Sequence, residues 1–161
     1  LYATYSYVAA THKSFASLPS MFQCLFLSFL SKQSLNLGGY MPAIKTILIA
    51  DDSQTERLHL SQILQNAGYQ VIVATSGNEA RMLAETHNPD VIFLDIIMED
   101  GDGYQTCRNL RRNPATAETP IIMVSSKSNP VDMQWAKKLG ANHYVVKPYT
   151  SDAILTQLTA L

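Results

Sequence analysis

The chain has 161 residues, 47% of them hydrophobic, and a formal net charge of −1, which suits one domain with a substantial core. That balance carries no nucleic-acid footprint, and its one basic cluster, Arg108, Arg111 and Arg112, reads as a solvated helix face. Cys24 and Cys107 lie far apart, and His12, His59, His87 and His143 are scattered, so neither a disulfide framework nor a zinc or His-based metal site is indicated, and a reduced, cytoplasmic setting is expected.

The first 40 residues contain seven Ser and no Asp or Glu. Their apolar run, "MFQCLFLSFL" from Met21 to Leu30, is too short to span a bilayer, which needs about 20 residues. It lacks the marks of a signal peptide, since Lys13 is the single Lys or Arg before it and no small-residue cleavage motif follows. Cys24 also lacks the small residues expected before a lipidated cysteine. Met41 stands directly before the first strand-like run, "KTILIA". The expectation is therefore that residues 1–40 are an N-terminal extension, disordered or not part of the native chain. Residues 41–161 are expected to form the folded domain, with no membrane insertion.

From Met41 onward the pattern alternates. "KTILIA" reads as a buried strand, and Leu60, Ile63, Leu64 and Ala67 then repeat at helical spacing up to Gly68. This predicts a helix over 53–67, opened by a capping box of Ser53 and Glu56. "YQVIVAT" is a second strand; Ser76 and Glu79 repeat the capping pattern and open a helix to about Glu85, stopped before Pro89. "DVIFLD" is a third strand, followed by an acidic loop and a helix over 103–112. "TPIIMVSS" is a fourth strand. Asn129 and Pro130 form an N-cap and N1 pair for a helix carrying Val131, Trp135 and Leu139, ended by Gly140. "NHYVVK" is the fifth strand, and 151–161 the last helix.

Five βα units with near-continuous apolar strands imply a parallel sheet covered by helices on both faces. The expected fold is α/β, a flavodoxin-like doubly wound five-stranded parallel sheet in strand order 2-1-3-4-5. Ligands in such folds bind at the carboxyl ends of the strands, at the switch point between strands one and three, a rule drawn in part from proteins of this topology. The residues at those ends are Asp51 and Asp52, Asp95, Ser125 and Lys147. Each alone has a plainer reading, as a helix cap, a strand terminus or a solvated charge. Polar groups at four separate strand ends, above apolar strand interiors, make coincidence the weaker account.

Three carboxylates drawn together repel by several kcal/mol unless compensated. An oxygen-only donor set with no His or Cys suits Mg²⁺, or Mn²⁺, rather than zinc. Lys147 could hold a phosphoryl oxygen and the Ser125 hydroxyl another. The group suits phosphoryl transfer, in which positioning and charge neutralisation supply most of the catalysis, and an Asp carboxylate can serve as the covalent nucleophile.

With these residues in view, "ILIADDS", "FLDIIM…DG", "IIMVSS" and "YVVKP" resemble the receiver domain of two-component response regulators, over Lys45 to Leu161. The resemblance implies Asp95 as phosphoacceptor and Asp52 as a direct Mg²⁺ ligand. It adds Asp51 acting through water, and the backbone carbonyl of Ile97 as a further ligand. It makes Ser125 the hydroxyl switch, Lys147 the cation on the acyl phosphate, and Ser126 a further phosphate contact. Tyr144 matches the family's aromatic switch, although an ordinary half-buried strand aromatic is an equal reading. Ile97 and Lys127 occupy positions that tune phosphate lifetime in the family, and the Lys147–Pro148 bond is expected to be cis. Within the family, "SQTERLHLSQILQNAGYQV" and "DMQWAKKLGANHYVVKP" are similar to regulators of type IV pilus twitching motility. The departures are Glu99 where Pro often follows Met98, and Gly101 where a bulkier apolar residue is common; Glu99 adds negative charge beside the site. In the loop "FLDIIMEDGDGYQ", Asp95 is thus expected to react, Asp102 to cap the next helix, and Glu99 and Asp100 to remain solvated.

The function these readings imply is a phosphorylatable receiver that takes a phosphoryl group from a histidine kinase and switches protein–protein binding, as a monomer or weak dimer without bound nucleic acid. Only 13 residues follow Pro148, so output is expected to be protein binding, unless the chain is a fragment of a longer regulator. An Asp-nucleophile phosphatase would need an acid two residues after Asp95, where Ile97 stands. A flavodoxin-like cofactor binder would need a phosphate-cradling loop after strand one, where "ADDSQTE" presents two carboxylates.

Overall fold

The structure, a computed structural model, describes residues 44–99 and 102–161. The expectations for residues 1–40 and for Asp100 fall outside those residues. Ten elements alternate: β1 (Thr46–Ala50), α1 (Gln54–Asn66), β2 (Gln70–Ala74), α2 (Gly77–His87), β3 (Val91–Asp95), α3 (Gly103–Arg112), β4 (Ile121–Ser125), α4 (Pro130–Lys138), β5 (His143–Val146) and α5 (Ser151–Thr159). All strand pairs are parallel, in the order β2-β1-β3-β4-β5. The expected fold class, strand order and cis Lys147–Pro148 bond are all present.

Strand side chains alternate between faces, and each face has its own core. Leu48, Ala50, Ile92, Leu94, Ile121 and Met123 face Ala80, Ala84, Cys107, Leu110 and Ala136 of α2, α3 and α4. Ile47, Ile49, Val91, Phe93, Ile122, Val124 and Val145 face Leu60, Ile63 and Leu64 of α1 and Ile154 and Leu158 of α5. Each fully buried Ile, Leu or Phe contributes about 1.5–3 kcal/mol, so both-face burial explains why these strands read as unbroken apolar runs. Among the described residues no helix is long and apolar enough to cross a membrane.

Local signals place the helix ends. Ser53, Ser76, Asp102, Asn129 and Thr150 cap α1 to α5, each accepting a backbone N–H of the first turn. α2 runs to His87, two residues beyond the expected end, because Asn88 adopts a left-handed conformation (φ 46°) and returns its N–H to the Ala84 carbonyl. One expectation needs correction. Arg111 is not part of a solvated basic face: it donates to the carbonyls of Gly140, Ala117 and Thr119 and ties α3 to the following loops. α4 meets the sheet through the short side chain of Ala136, with Leu139 partly buried against the same core, while Val131 is 68% and Trp135 46% exposed.

Candidate functional site

The switch point between β1 and β3 carries the acidic cluster. Asp51 leaves the end of β1 buried, its Oδ1 accepting the Ser53 N–H at 2.8 Å. Asp95 ends β3, equally buried, and its Oδ1 accepts the Ile97 N–H at 3.2 Å. Asp52 is more open to solvent, and its Oδ2 accepts the Glu99 N–H at 2.8 Å. One oxygen from each of these three carboxylates lies within 4.8 Å of the others. The Glu99 side chain itself is exposed.

Among the described residues, one cation answers this charge. Lys147 Nζ donates to Asp51 Oδ2 at 2.7 Å and to Asp95 Oδ2 at 2.9 Å. Burial opposes the Lys147 charge, but hydrogen bonds to the two carboxylates outweigh it and hold its pKa above the ordinary value. Burial pushes the Asp95 carboxyl up, with Lys147 pulling the other way. Three carboxylates against one ammonium leave a net negative, all-oxygen cluster, and that donor set fits a hard divalent cation.

The remaining expected site residues gather around the loop after β4. Ser125 is fully buried, and its Oγ accepts the Lys127 N–H at 3.2 Å, with its hydroxyl directed to that of Tyr144. Tyr144 is half-buried on β5, and its hydroxyl donates to the Lys127 carbonyl at 2.9 Å. The Lys127 backbone is thus held at its N–H by Ser125 and at its carbonyl by Tyr144, the two residues expected to switch. Ser126 is exposed on the same loop, and the Ile97 side chain is 51% exposed at the rim. Asp102 caps α3 through the Tyr104 N–H at 2.9 Å.

Three further residues shape the site. Arg57 Nη1 donates to the carbonyls of Asp51 and Asp52, both at 2.8 Å, and so holds the acidic pair's backbone; no spacing pattern marks it. Gly103 lets α3 approach the end of β3. A Cβ there would overlap the Asp95 carbonyl oxygen and come within 2.7 Å of Ile96 Cα. A glycine at a helix's first position, after a good N-cap, was the available signal. Asp132 accepts from the Tyr104 hydroxyl at 3.1 Å and pairs with Lys127 at 3.6 Å, a link between α3, α4 and the loop with no sequence signature.

Residues 47–159 match the response regulator receiver domain family. Protein PilH of Pseudomonas aeruginosa is 36% identical over 115 residues, covering 71% of this chain and 95% of that protein. Among solved structures, chemotaxis protein CheY4 of Vibrio cholerae aligns with a TM-score of 0.70 and 33% identity, covering 73% of this chain and 98% of that one. A chain of the CheX-CheY-BeF3-Mg²⁺ complex from Borrelia burgdorferi aligns at 0.69 and 28% identity, covering 72% and 87%.

Proposed function

The chain belongs to the response regulator receiver domain family, and from that premise we propose that it accepts a phosphoryl group on Asp95 from a partner histidine kinase in the cytoplasm and switches protein binding in response. The observation that carries this reading is the Lys147 ammonium shared between Asp51 and Asp95, beside an Asp52 close enough to complete an all-oxygen metal cluster. PilH supports a role like that of the twitching-motility regulators, and the complex of the Borrelia relative with BeF3 and Mg²⁺ supports phosphoryl and metal chemistry at the acidic cluster.

In this proposal an Asp95 oxygen attacks phosphorus and the P–N bond to the donor imidazole breaks. An aspartyl phosphate forms, and the leaving nitrogen takes up a proton. Asp52, Asp95 and the Ile97 carbonyl would hold Mg²⁺ (Mn²⁺ also fits), with Asp51 assisting through water. The ion supplies charge neutralisation on the transferring group. Lys147 passes from the Asp95 carboxylate to a phosphoryl oxygen. Ser125 donates to another, and Ser126 contacts the same group. As the loop follows Ser125, the Lys127 carbonyl moves away from the Tyr144 hydroxyl and the ring turns inward, a shift between two populated states.

The test is labelling by acetyl phosphate with Mg²⁺, read by intact mass. Wild type should gain one phosphoryl group, and Asp95→Asn none; a labelled Asp95→Asn protein would move the acceptor elsewhere. EDTA should block labelling of wild type, and labelling that survives EDTA would exclude the metal's role.

A further inference from the structure

The α3–α4 groove lies on another part of the surface. On its inner side α3 bonds to α4 and the turn after it through one stripe: Tyr104 to Asp132 at 3.1 Å, Cys107 to the Leu139 carbonyl at 3.5 Å, Arg111 to the Gly140 carbonyl at 2.9 Å. The neighbouring stripe, Gln105, Arg108 and Arg112, is exposed and lines the rim. The cleft has a volume of about 440 Å³, with Trp135 on its α4 wall. Val131, 68% exposed, stands one turn before Trp135, itself 46% exposed.

Two features separate this cleft from ordinary exposure. Among the described residues neither Arg108 nor Arg112 is held in an ion pair. The single lining carboxylate, Asp102, is engaged as the α3 cap. An uncovered tryptophan opposite two uncommitted guanidiniums combines the residue types that dominate protein interfaces. Both rows, Arg108/Arg112 and Val131/Trp135, repeat at four residues, one helical turn.

We propose that this groove docks an acidic amphipathic helix of a partner protein. Apolar side chains at i and i+4 would rest on Val131 and Trp135, and flanking carboxylates would meet Arg108 and Arg112. The charge of the rim sets the sign of the partner, and the spacing sets its form.

Trp135 is the only tryptophan of the chain, so its emission reports on the groove directly. The full, unphosphorylated chain would be titrated with two short helical peptides sharing the same Leu positions, one with Glu and one with Lys at the remaining sites. Because no phosphoryl group is involved, this result stands apart from that on Asp95. The Glu peptide should give a saturable change that weakens with salt, and the Lys peptide none. The Arg108→Glu/Arg112→Glu protein, checked for folding by circular dichroism, should bind the Glu peptide about tenfold or more weakly. Calorimetry on Trp135→Ala should give the same direction of loss. No saturable change with the Glu peptide, or equal affinity after charge reversal, overturns the proposal. It is also overturned if sedimentation shows that a second copy of the chain covers Trp135, or if a nucleotide binds there in place of the acidic peptide.

Discussion

Lys147 is the residue on which the electrostatics of the site turn, because among the described residues it alone is bonded to both buried carboxylates. Lys147→Ala strands Asp51 and Asp95 side by side, and breaking a buried pair in this way costs about 3–5 kcal/mol. The expected result is a lower urea midpoint in EDTA at pH 7, partly restored by Mg²⁺. Metal binding should survive while the response of partner affinity to phosphorylation is lost. A midpoint equal to wild type would mean that some other group balances the carboxylates. Cys107 gives a second residue-level prediction. It is fully buried, and burial pushes its thiol up to about 11, so thiolate is scarce at neutral pH. Mass mapping after iodoacetamide treatment of the native protein at pH 8 should find Cys107 unmodified, and rapid modification there would contradict its burial.

The elements owe their positions to a few end residues. α3 approaches β3 only because Gly103 has no Cβ to overlap the Asp95 carbonyl. Gly103→Ala should therefore cost about 1–3 kcal/mol, the usual range for overpacking, and slow phosphorylation by displacing the end of β3 that carries Asp95. Wild-type stability and labelling would show that the close approach is unimportant. At the start of α2, Glu79 accepts from the Thr75 hydroxyl and N–H, both at 2.7 Å, and these bonds hold its carboxyl below 4.5. A lowered folded pKa stabilises above the unfolded value and stops doing so as pH falls through the folded one. The urea midpoints of wild type and Glu79→Gln should differ at pH 7 and converge below 4.5, the ordinary value. Because Glu79 is only partly buried, the difference should be small, and a gap that widens in acid would contradict the assignment.

For the whole molecule, the acidic cluster couples metal binding to folding. A ligand that binds only the folded state stabilises it by RT ln(1 + [L]/Kd), about 1.4 kcal/mol at tenfold excess over Kd. Mg²⁺ should raise the melting temperature of wild type by a few degrees and that of Asp52→Asn by less. Equal shifts would place the bound ion away from β1. At this scale the sequence was informative, because a doubly wound sheet buries both faces of its strands and writes that burial as apolar runs ending in polar residues. The alternating core faces of Leu48 and Ile49, or Ile92 and Phe93, follow from the same periodicity. The buried face of α4 was only partly legible: Val131, Trp135 and Leu139 share one helical spacing, yet Ala136 and Leu139 meet the core while Val131 and Trp135 stay exposed.

What the sequence by itself determined was element order, fold class and the strand-end residues Asp51, Asp52, Asp95, Ser125 and Lys147, for each depends on local periodicity and on the rule for parallel sheets. In the acidic loop it separated Asp95, at a strand end, from Asp102, before a helix. Only the tertiary structure decided that Lys147 bridges Asp51 and Asp95, that Arg57 holds the acidic backbone, and that Arg111 turns inward while Arg108 and Arg112 remain on the rim beside Trp135. Those contacts join residues from different elements, and which side chain fills a given gap depends on packing distances that helical and strand periods do not encode.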